Sequence, residues 1–482
     1  VAETPVIYWY RQDLRVDDLP GLAAAASAGR PVLPCFILDD TLPERERPGG
    51  ASRWWLHHSL AALAQDLGKL GLPLLLRRGA HADELAQLVA QTGAQTVYCS
   101  RRVEPAEAAR ERTLHEALAA DGVTLKRYPG SLLFEPEAIR TQADAAYKVF
   151  TPFWKACLRE PAPAAPAAAP DKPAAPATLP GSLSLDDLAL LPRDPDWAGH
   201  WPRLWQPGTA GARAALQRFL ENAIGDYDEG RNHPQREATS RLSPHLHFGE
   251  ISPRAVWHAV TAHCQGQPDL EAQRHKFLSE LGWREFSHYL LHHFPHIVEK
   301  PFKEEFSKFP WLGNEQLLRA WQRGMTGYPL VDAGMRELWR TGYMHNRVRM
   351  IVASFLTKHL LVHWRSGERW FHDTLVDADL ANNTCGWQWV AGSGADAAPF
   401  FRIFNPTLQG KRFDAQGEYV RRWVPELAQL PDKHIHEPAR APQQVLAAAG
   451  VVLGETYPEP IVDHGQAREA ALAAYGSIRS EA

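Results

Sequence analysis

A tract of prolines and alanines, PAPAAPAAAPDKPAAPATLP at residues 161–180, divides this 482-residue chain into two stretches with different periodicities. Proline has a fixed φ and no amide hydrogen for a helix or a sheet ladder, so the tract predicts an extended, semi-rigid connector. Before it, apolar runs at 6–10 (VIYWY), 31–38 (PVLPCFIL), 72–77 (LPLLLR), 96–100 (TVYCS) and 123–128 (VTLKRY) alternate with helical stretches rich in alanine and leucine. That rhythm predicts a doubly wound parallel sheet covered by helices. After about residue 207 the pattern becomes that of long amphipathic helices, at 210–227, 271–294, 314–324 and 330–364, with no strand-like alternation between them. The expected organisation is an α/β domain over 1–130, a linker over 131–206 and an all-α domain over 207–482, whose last part, from Leu430, reads as a modest tail.

Composition narrows the function classes. A net charge of -4 with 22% charged residues excludes a wholly basic nucleic-acid binder, so any polyanion site must be a local patch. Five scattered cysteines without a C-x-x-C pair argue against a disulfide frame, a zinc site or an iron–sulfur cluster, and fit a reducing cytosol. No apolar run approaches the ~18 residues of a membrane span, and the first residues lack an export pattern. A soluble, cytoplasmic protein is expected.

Chemistry concentrates in a few places. Residues 377–405, DADLANNTCGWQWVAGSGADAAPFFRIFN, combine Asp377, Asp379, Asn382, Asn383, Gln388, Asp396, Arg402 and Asn405 without hydrophobic periodicity. Polar groups of this kind need partners wherever they are buried, from a network or from a ligand. The TSRLS run, Thr239 to Ser243, sets hydroxyls and a guanidinium before Pro244, where a helix could start. That suits a pyrophosphate, and it suits a plain helix cap as well. From Trp339 to Lys358 no acid occurs while Arg340, Arg347, Arg349 and Lys358 do, and on one helix Asn346 and Met350 would share a face with Tyr343, as Arg347 would with Arg340. Tryptophan is abundant, 17 in all, and most tryptophans serve cores; stacking on bases and electron relay are two further uses for them. Gly392, Gly394 and Ala397 are a weak dinucleotide match better read as close backbone packing. The pairs His359/His363 and His245/His247 have ligand-like spacing without a third carboxylate, so no metal is expected. Asp377 or Asp379 is expected to pair with Arg349.

Several stretches, in order, resemble the photolyase/cryptochrome flavoproteins, most of all the bacterial cyclobutane pyrimidine dimer photolyases: WYRQDLRVDD, YKVFTPF (147–153), TSRLSPHLHFGEISPR (239–254), ELGWREF (280–286), TGYPLVDAGMREL (326–338), MHNRVRM (344–350), DADLANNTCGWQW (377–389) and FRIFNPTLQGKRFD (401–414). The resemblance implies an α/β antenna domain and a helical FAD-binding domain. It implies that Tyr227, Thr239, Ser240, Arg241, Leu242, Ser243, Phe277, Arg284, Asn346, Arg349, Asp377, Asp379 and Asn383 contact FAD, with the Asn383 amide at the central ring nitrogen. Trp387, Trp364 and Trp311 then resemble a relay that photoreduces the flavin, proximal to distal. Glu280, Trp283, Asn346, Met350 and Trp389 resemble the lesion pocket, with Trp283 and Trp389 clasping the pyrimidines and Glu280 hydrogen-bonded to the dimer. Arg231 and Arg347 would sit on the DNA backbone.

The implied activity is light-driven repair of cyclobutane pyrimidine dimers in UV-damaged DNA by a monomeric, cytoplasmic, nucleoid-associated enzyme. A blue-light-sensing cryptochrome and a six-four photoproduct photolyase are the alternatives. Three departures from the family pattern stand out: Tyr343 where tryptophan is common, Thr384-Cys385 in place of small residues, and Ala106 in VEPAE, where folate binders carry asparagine. A methenyltetrahydrofolate antenna, a deazaflavin antenna and no antenna all stay open.

Overall fold

The computed structural model describes residues 3–397 and 401–480; residues 398–400, inside the polar 377–405 stretch, lie outside the described residues. The chain forms two compact units that do not follow chain order. The first holds the residues through Gly225 with Ser240–Pro295 and Val376–Asp379, and the second holds Asp226–Thr239, His296–Leu375 and the residues from Leu380 on.

In the first unit, β1 (Val6–Tyr10), β2 (Val32–Leu38), β3 (Leu75–Arg78), β4 (Thr96–Ser100) and β5 (Thr124–Tyr128) form one parallel sheet in the order β3-β2-β1-β4-β5. Register aligns Trp9 of β1 with Cys35 on one side and Cys99 on the other. Every residue of β1 and β2 is buried, as continuous apolar runs require when helices cover both faces. The crossovers carry α1 (Pro20–Ala26), α2 (Gly50–Lys69), α3 (His81–Thr92) and α4 (Pro105–Ala120). Ile7, Trp9, Leu33, Cys35, Leu85, Leu88, Val97 and Leu114 belong to its core cluster. The proline tract is neither helix nor strand. It is nonetheless tied down, since Asp18 exchanges hydrogen bonds with Ala167, and Val32 donates to the carbonyl of Ala174. The same unit contains α5 (Phe150–Cys157) and α6 (Glu271–His293).

In the second unit the stretch at 330–364 is not the one long helix its periodicity suggests. It breaks into α7 (Pro329–Thr341), α8 (Asn346–Ser354), a π-helical turn at Phe355–His359, and the first residue of α9 (Trp364–Thr374). Gly342 sits in the left-handed region at φ 67°, the C-terminal stop that glycine allows without a Cβ penalty, and the His345 side chain caps α8. Tyr343 and Arg340 therefore do not share a helix with Asn346 and Arg347. The helix α10 (Leu380–Ala391) follows. The segment after Leu430 belongs to this unit: α11 (His464–Ser480) contributes Ala471, Ala474 and Ile478 to a cluster with Phe306 and Phe309. All five cysteines are free thiols. Among the described residues no helix is long and apolar enough to cross a membrane.

Candidate functional site

Strand order in the sheet reverses between β1 and β4, and a doubly wound sheet opens its ligand crevice there, at the carboxyl ends of the strands. A pocket occupies that point, lined by Gln12 after β1, Arg101, Arg102, Val103 and Glu104 after β4, and Gly130, Ser131 and Glu135 after β5, with Leu246, His247, Arg284, His288 and Asp379. The acids of VEPAE are engaged by arginines, Glu104 by Arg102 and Glu107 by Arg110.

Donor atoms of Glu104, His288 and Asp379 lie within 4.8 Å of one another in this pocket wall, a grouping that no sequence spacing reveals. Asp379 Oδ2 is 3.4 Å from His288 Nε2 and 3.8 Å from His247 Nδ1. Burial alone would raise the Asp379 carboxyl, yet His288 and His247 hold it well below the usual carboxylate range. Burial likewise works against a charged His288, and Asp379 overcomes it, so the imidazole is raised. His288 Nδ1 also donates to the Arg284 carbonyl at 3.0 Å, so both ring nitrogens have acceptors. The other histidine pairs are occupied within the protein: His245 bonds Glu250, and His359 Nε2 is 2.8 Å from His464 Nδ1.

The TSRLS run leads into a short helix, Ser243–His247, that no side chain caps, so capping does not explain its hydroxyls. Ser243 Oγ instead donates to Asp377 Oδ2 at 2.6 Å. Arg241 has a left-handed backbone, φ 53°, uncommon for a residue with a Cβ, and its guanidinium lies 4.9 Å from the Trp205 ring. Leu242 is buried, and Thr239 and Ser240 are half-buried.

On α6, Phe277, Glu280 and Arg284 recur at the spacing of one helical face. Phe277 is buried against Phe219, ring centroids 4.7 Å apart. Glu280 is half-buried, 3.5 Å from Lys276, while Arg284 donates to Glu285 at 3.1 Å. Half-buried Trp283 lies flat on Phe150 of α5, centroids 3.8 Å apart and planes 10° apart. Phe150 was not singled out from the sequence, although it stands within YKVFTPF.

In the second unit, α10 has two faces. Ala381, Thr384, Trp387, Gln388 and Ala391 are buried, whereas Asn382, Asn383, Gly386 and Trp389 are not fully covered. A Cβ built on Gly386 would meet nothing within 4 Å, so this face is open as well as polar. Helix α9 positions it: Asn383 Nδ2 donates to the Glu368 carbonyl at 3.0 Å and Thr384 Oγ1 to Glu368 Oε1 at 2.6 Å. With Nδ2 so used, Oδ1 is the Asn383 atom directed to other partners, an amide orientation assigned by this network.

Trp387 is 2% exposed, packs on Phe371 at 5.0 Å and Trp321 at 6.1 Å, and its indole Nε1 has no hydrogen-bond partner among the described residues. Trp364 is as buried as Trp387, and Trp311 is half-buried. The GSGADA turn is indeed close packing, since a Cβ on Gly394 would stand 2.9 Å from the backbone nitrogen of Trp389. Its companion Gln388 is structural: it donates to the carbonyls of Ile297 and Lys300.

Asn346 is exposed at the start of α8 and Met350 follows one turn on, half-buried, as their spacing implies. Arg349 Nε donates to the Met344 carbonyl at 2.7 Å, and its guanidinium is 5.2 Å from the Tyr343 ring. Arg347 lies 4.5 Å over Phe413 and bonds Asn232; Arg231 lies 5.5 Å over the buried Tyr227. Burial, followed by Arg231, Arg402 and Arg412, lowers the Arg347 pKa, the electrostatic signature of cations crowded together. Arg402 and Arg412 were not placed with Arg347 from sequence, because they lie more than fifty positions away.

Comparison with known proteins follows the same lines. Residues 6–173 match the family model described as DNA photolyase, and residues 277–477 that described as the FAD binding domain of DNA photolyase. The chain is 51% identical over 475 residues to a deoxyribodipyrimidine photo-lyase of Agrobacterium fabrum, covering 98% of each. To cryptochrome-1 of Arabidopsis thaliana it is 39% identical over 476 residues, 96% of this chain and 69% of that one. The solved structure of a bacterial class III photolyase from Agrobacterium tumefaciens is similar at a TM-score of 0.95 and 51% identity, covering 100% of this chain and 98% of that one.

Proposed function

Because the chain belongs to the photolyase/cryptochrome family, we propose that it is a light-driven lyase that splits cyclobutane pyrimidine dimers in DNA. The observation that carries this reading is the likeness, over both the sheet and the helices, to a deoxyribodipyrimidine photo-lyase. The cryptochrome likeness is lower in identity and spans 69% of that relative.

The residues fit FAD. The α10 face offers an uncharged amide beside open space at Gly386, a buried indole N–H at Trp387 stands without a partner among the described residues, and Ser240 and Arg241 supply a hydroxyl and a guanidinium of the kind a pyrophosphate takes. Bound, reduced FAD supplies the electron that opens the cyclobutane ring on illumination and takes it back once the ring has split.

Around it each side chain has a proposed task. Asn383 Oδ1 accepts the hydrogen bond of the N–H that a reduced flavin carries at its central ring. Tyr227, Thr239, Leu242, Phe277, Arg284, Asn346, Arg349, Asp377 and Asp379 orient the cofactor. Trp283 and Trp389 hold the flipped pyrimidines by stacking, and a lesion that pairs poorly costs less to flip than an intact step. The flat Phe150 contact supports this by fixing the plane of Trp283. Glu280 hydrogen-bonds the dimer, Met350 closes the pocket beside Asn346, and Arg231 with Arg347 bears on phosphates. Trp387, Trp364 and Trp311 relay electrons that return an oxidised flavin to its working state.

We also propose that the division at 1–130, 131–206 and 207–482 separates antenna, linker and catalytic parts, and that the protein acts as a cytoplasmic monomer on nucleoid DNA. The loop after β4, around Glu104 to Glu107, is the proposed seat of any antenna chromophore, folate or deazaflavin.

The test is repair of a thymine-dimer oligonucleotide by chemically reduced protein under blue light and in darkness. Restoration of intact thymines only in the light is expected. Absence of repair with reduced FAD bound would move the reading to a signalling cryptochrome, or to a six-four enzyme if the six-four lesion is then repaired.

A further inference from the structure

The second unit places an imidazole among the rings of the proposed relay. His363 immediately precedes Trp364 at the start of α9, and its ring centroid lies 5.1 Å from that of Trp311 and 5.6 Å from that of Trp364. The planes of His363 and Trp364 differ by 30°. The Trp311 ring also packs against Phe309, centroids 4.4 Å apart. Nothing in the residue type dictates this arrangement, since the cap that His363 provides to α9 would be served as well by asparagine or serine.

We propose that His363 is a bridging ring of the relay, coupling Trp311 to Trp364 while the flavin is photoreduced. The inference rests on the relay reading above. With oxidised flavin bound and excited by light, Trp387 would give up one electron and be refilled from Trp364, and Trp364 in turn from Trp311. Trp311 is left oxidised by one electron until a thiol reductant in solution restores it. Electronic coupling between rings falls steeply with the gap between their edges, and an intervening aromatic ring in contact with both shortens that gap.

Two features suit His363 to bridging and not to proton transfer. Its Nδ1 accepts the backbone N–H of Arg365 at 3.1 Å, so the neutral ring carries its hydrogen on Nε2 and has no second lone pair to offer as a base. Burial, then Arg365 and Arg369, pushes its pKa down to about 4, which leaves the ring uncharged at neutral pH. An uncharged neighbour does not oppose the positive charge that appears on Trp311 or Trp364, whereas an imidazolium at this distance would.

Two substitutions separate the ring from the cap. His363→Asn keeps a capping side chain and removes the ring; His363→Phe keeps a ring and removes the cap. The readouts are the rate of flavin bleaching by light in oxidised holoprotein with thiol, the transient absorption of oxidised tryptophan, and the unfolding midpoint. Repair by chemically pre-reduced protein serves as the control.

Photoreduction and the tryptophan transient should slow several-fold in His363→Asn and stay near the unsubstituted rate in His363→Phe, with repair by pre-reduced protein unchanged in both. Photoreduction at the full rate in His363→Asn overturns the proposal, and so does equal slowing in the two variants, which would trace the effect to the cap. Trp311→Phe distinguishes the underlying reading: if it leaves photoreduction unchanged, the relay assignment has failed and the bridge falls with it.

Discussion

Glycine 367 shows how a single residue can decide the chemistry of a site it does not join. A Cβ built there would stand 2.0 Å from Cη2 of Trp387, so alanine at this position must displace the indole. Overpacking of this kind costs about 1–3 kcal/mol. Gly367→Ala should lower the unfolding free energy by that amount in a urea titration and slow light-driven flavin reduction, while unchanged photoreduction would show that the position of Trp387 does not set the rate. The His288–Asp379 pair makes a second prediction at this scale. The folded His288 pKa is raised above the unfolded value of about 6.5, so its contribution is complete below that pH and is lost as pH rises through the raised value. Asp379 is depressed, so its contribution is present above about pH 3.9 and is lost as pH falls through the lower folded value. Stability measured by urea midpoints should therefore decline on the alkaline side, and His288→Gln should flatten that decline. Asp379 was legible in sequence as one polar residue of a motif; its ion pair was not, because His288 reads there as one more residue of an amphipathic helix.

At the scale of elements, the break between α7 and α8 sets which residues share a face. Hydrophobic periodicity runs through 330–364 almost without interruption, and from it Tyr343 belongs with Asn346 and Met350. The left-handed backbone at Gly342 ends α7, and the His345 cap starts α8 in a new direction. An L-residue in the left-handed region costs roughly 1–2 kcal/mol. Gly342→Ala should destabilise the protein by about that amount, and Gly342→Asn by less, because asparagine tolerates this region better; equal effects in chemical denaturation would remove the backbone explanation. The five strands, by contrast, were readable within a few residues of their ends, β1 and β2 as continuous apolar runs and the edge strands β3 and β5 as shorter apolar segments that carry arginine or lysine. Helix α10 was the harder case. Its polar residues obscure the periodicity, yet the buried positions Ala381, Thr384, Gln388 and Ala391 do follow helical spacing.

For the whole molecule, a net charge of -4 and a proposed polyanionic substrate are reconciled by local crowding, in which Arg231, Arg402 and Arg412 bear on Arg347 within one unit. Binding of damaged DNA should weaken as salt rises, and Arg347→Gln should lower the slope of log affinity against log salt by about 1 while weakening damaged and undamaged duplexes alike. A loss confined to damaged DNA would place Arg347 at the lesion and not at the phosphates. The amino-acid sequence by itself determined the parallel sheet, the helical remainder and the family, because strand runs, helix periods and ordered motifs are contiguous in the chain. Only the tertiary structure decided that Glu104, His288 and Asp379 meet, that Phe150 backs Trp283, that Gly367 admits Trp387 and that His363 lies beside Trp311. Most of those contacts join positions far apart in the chain, and all depend on how helices and loops pack, which a pattern of near neighbours does not encode.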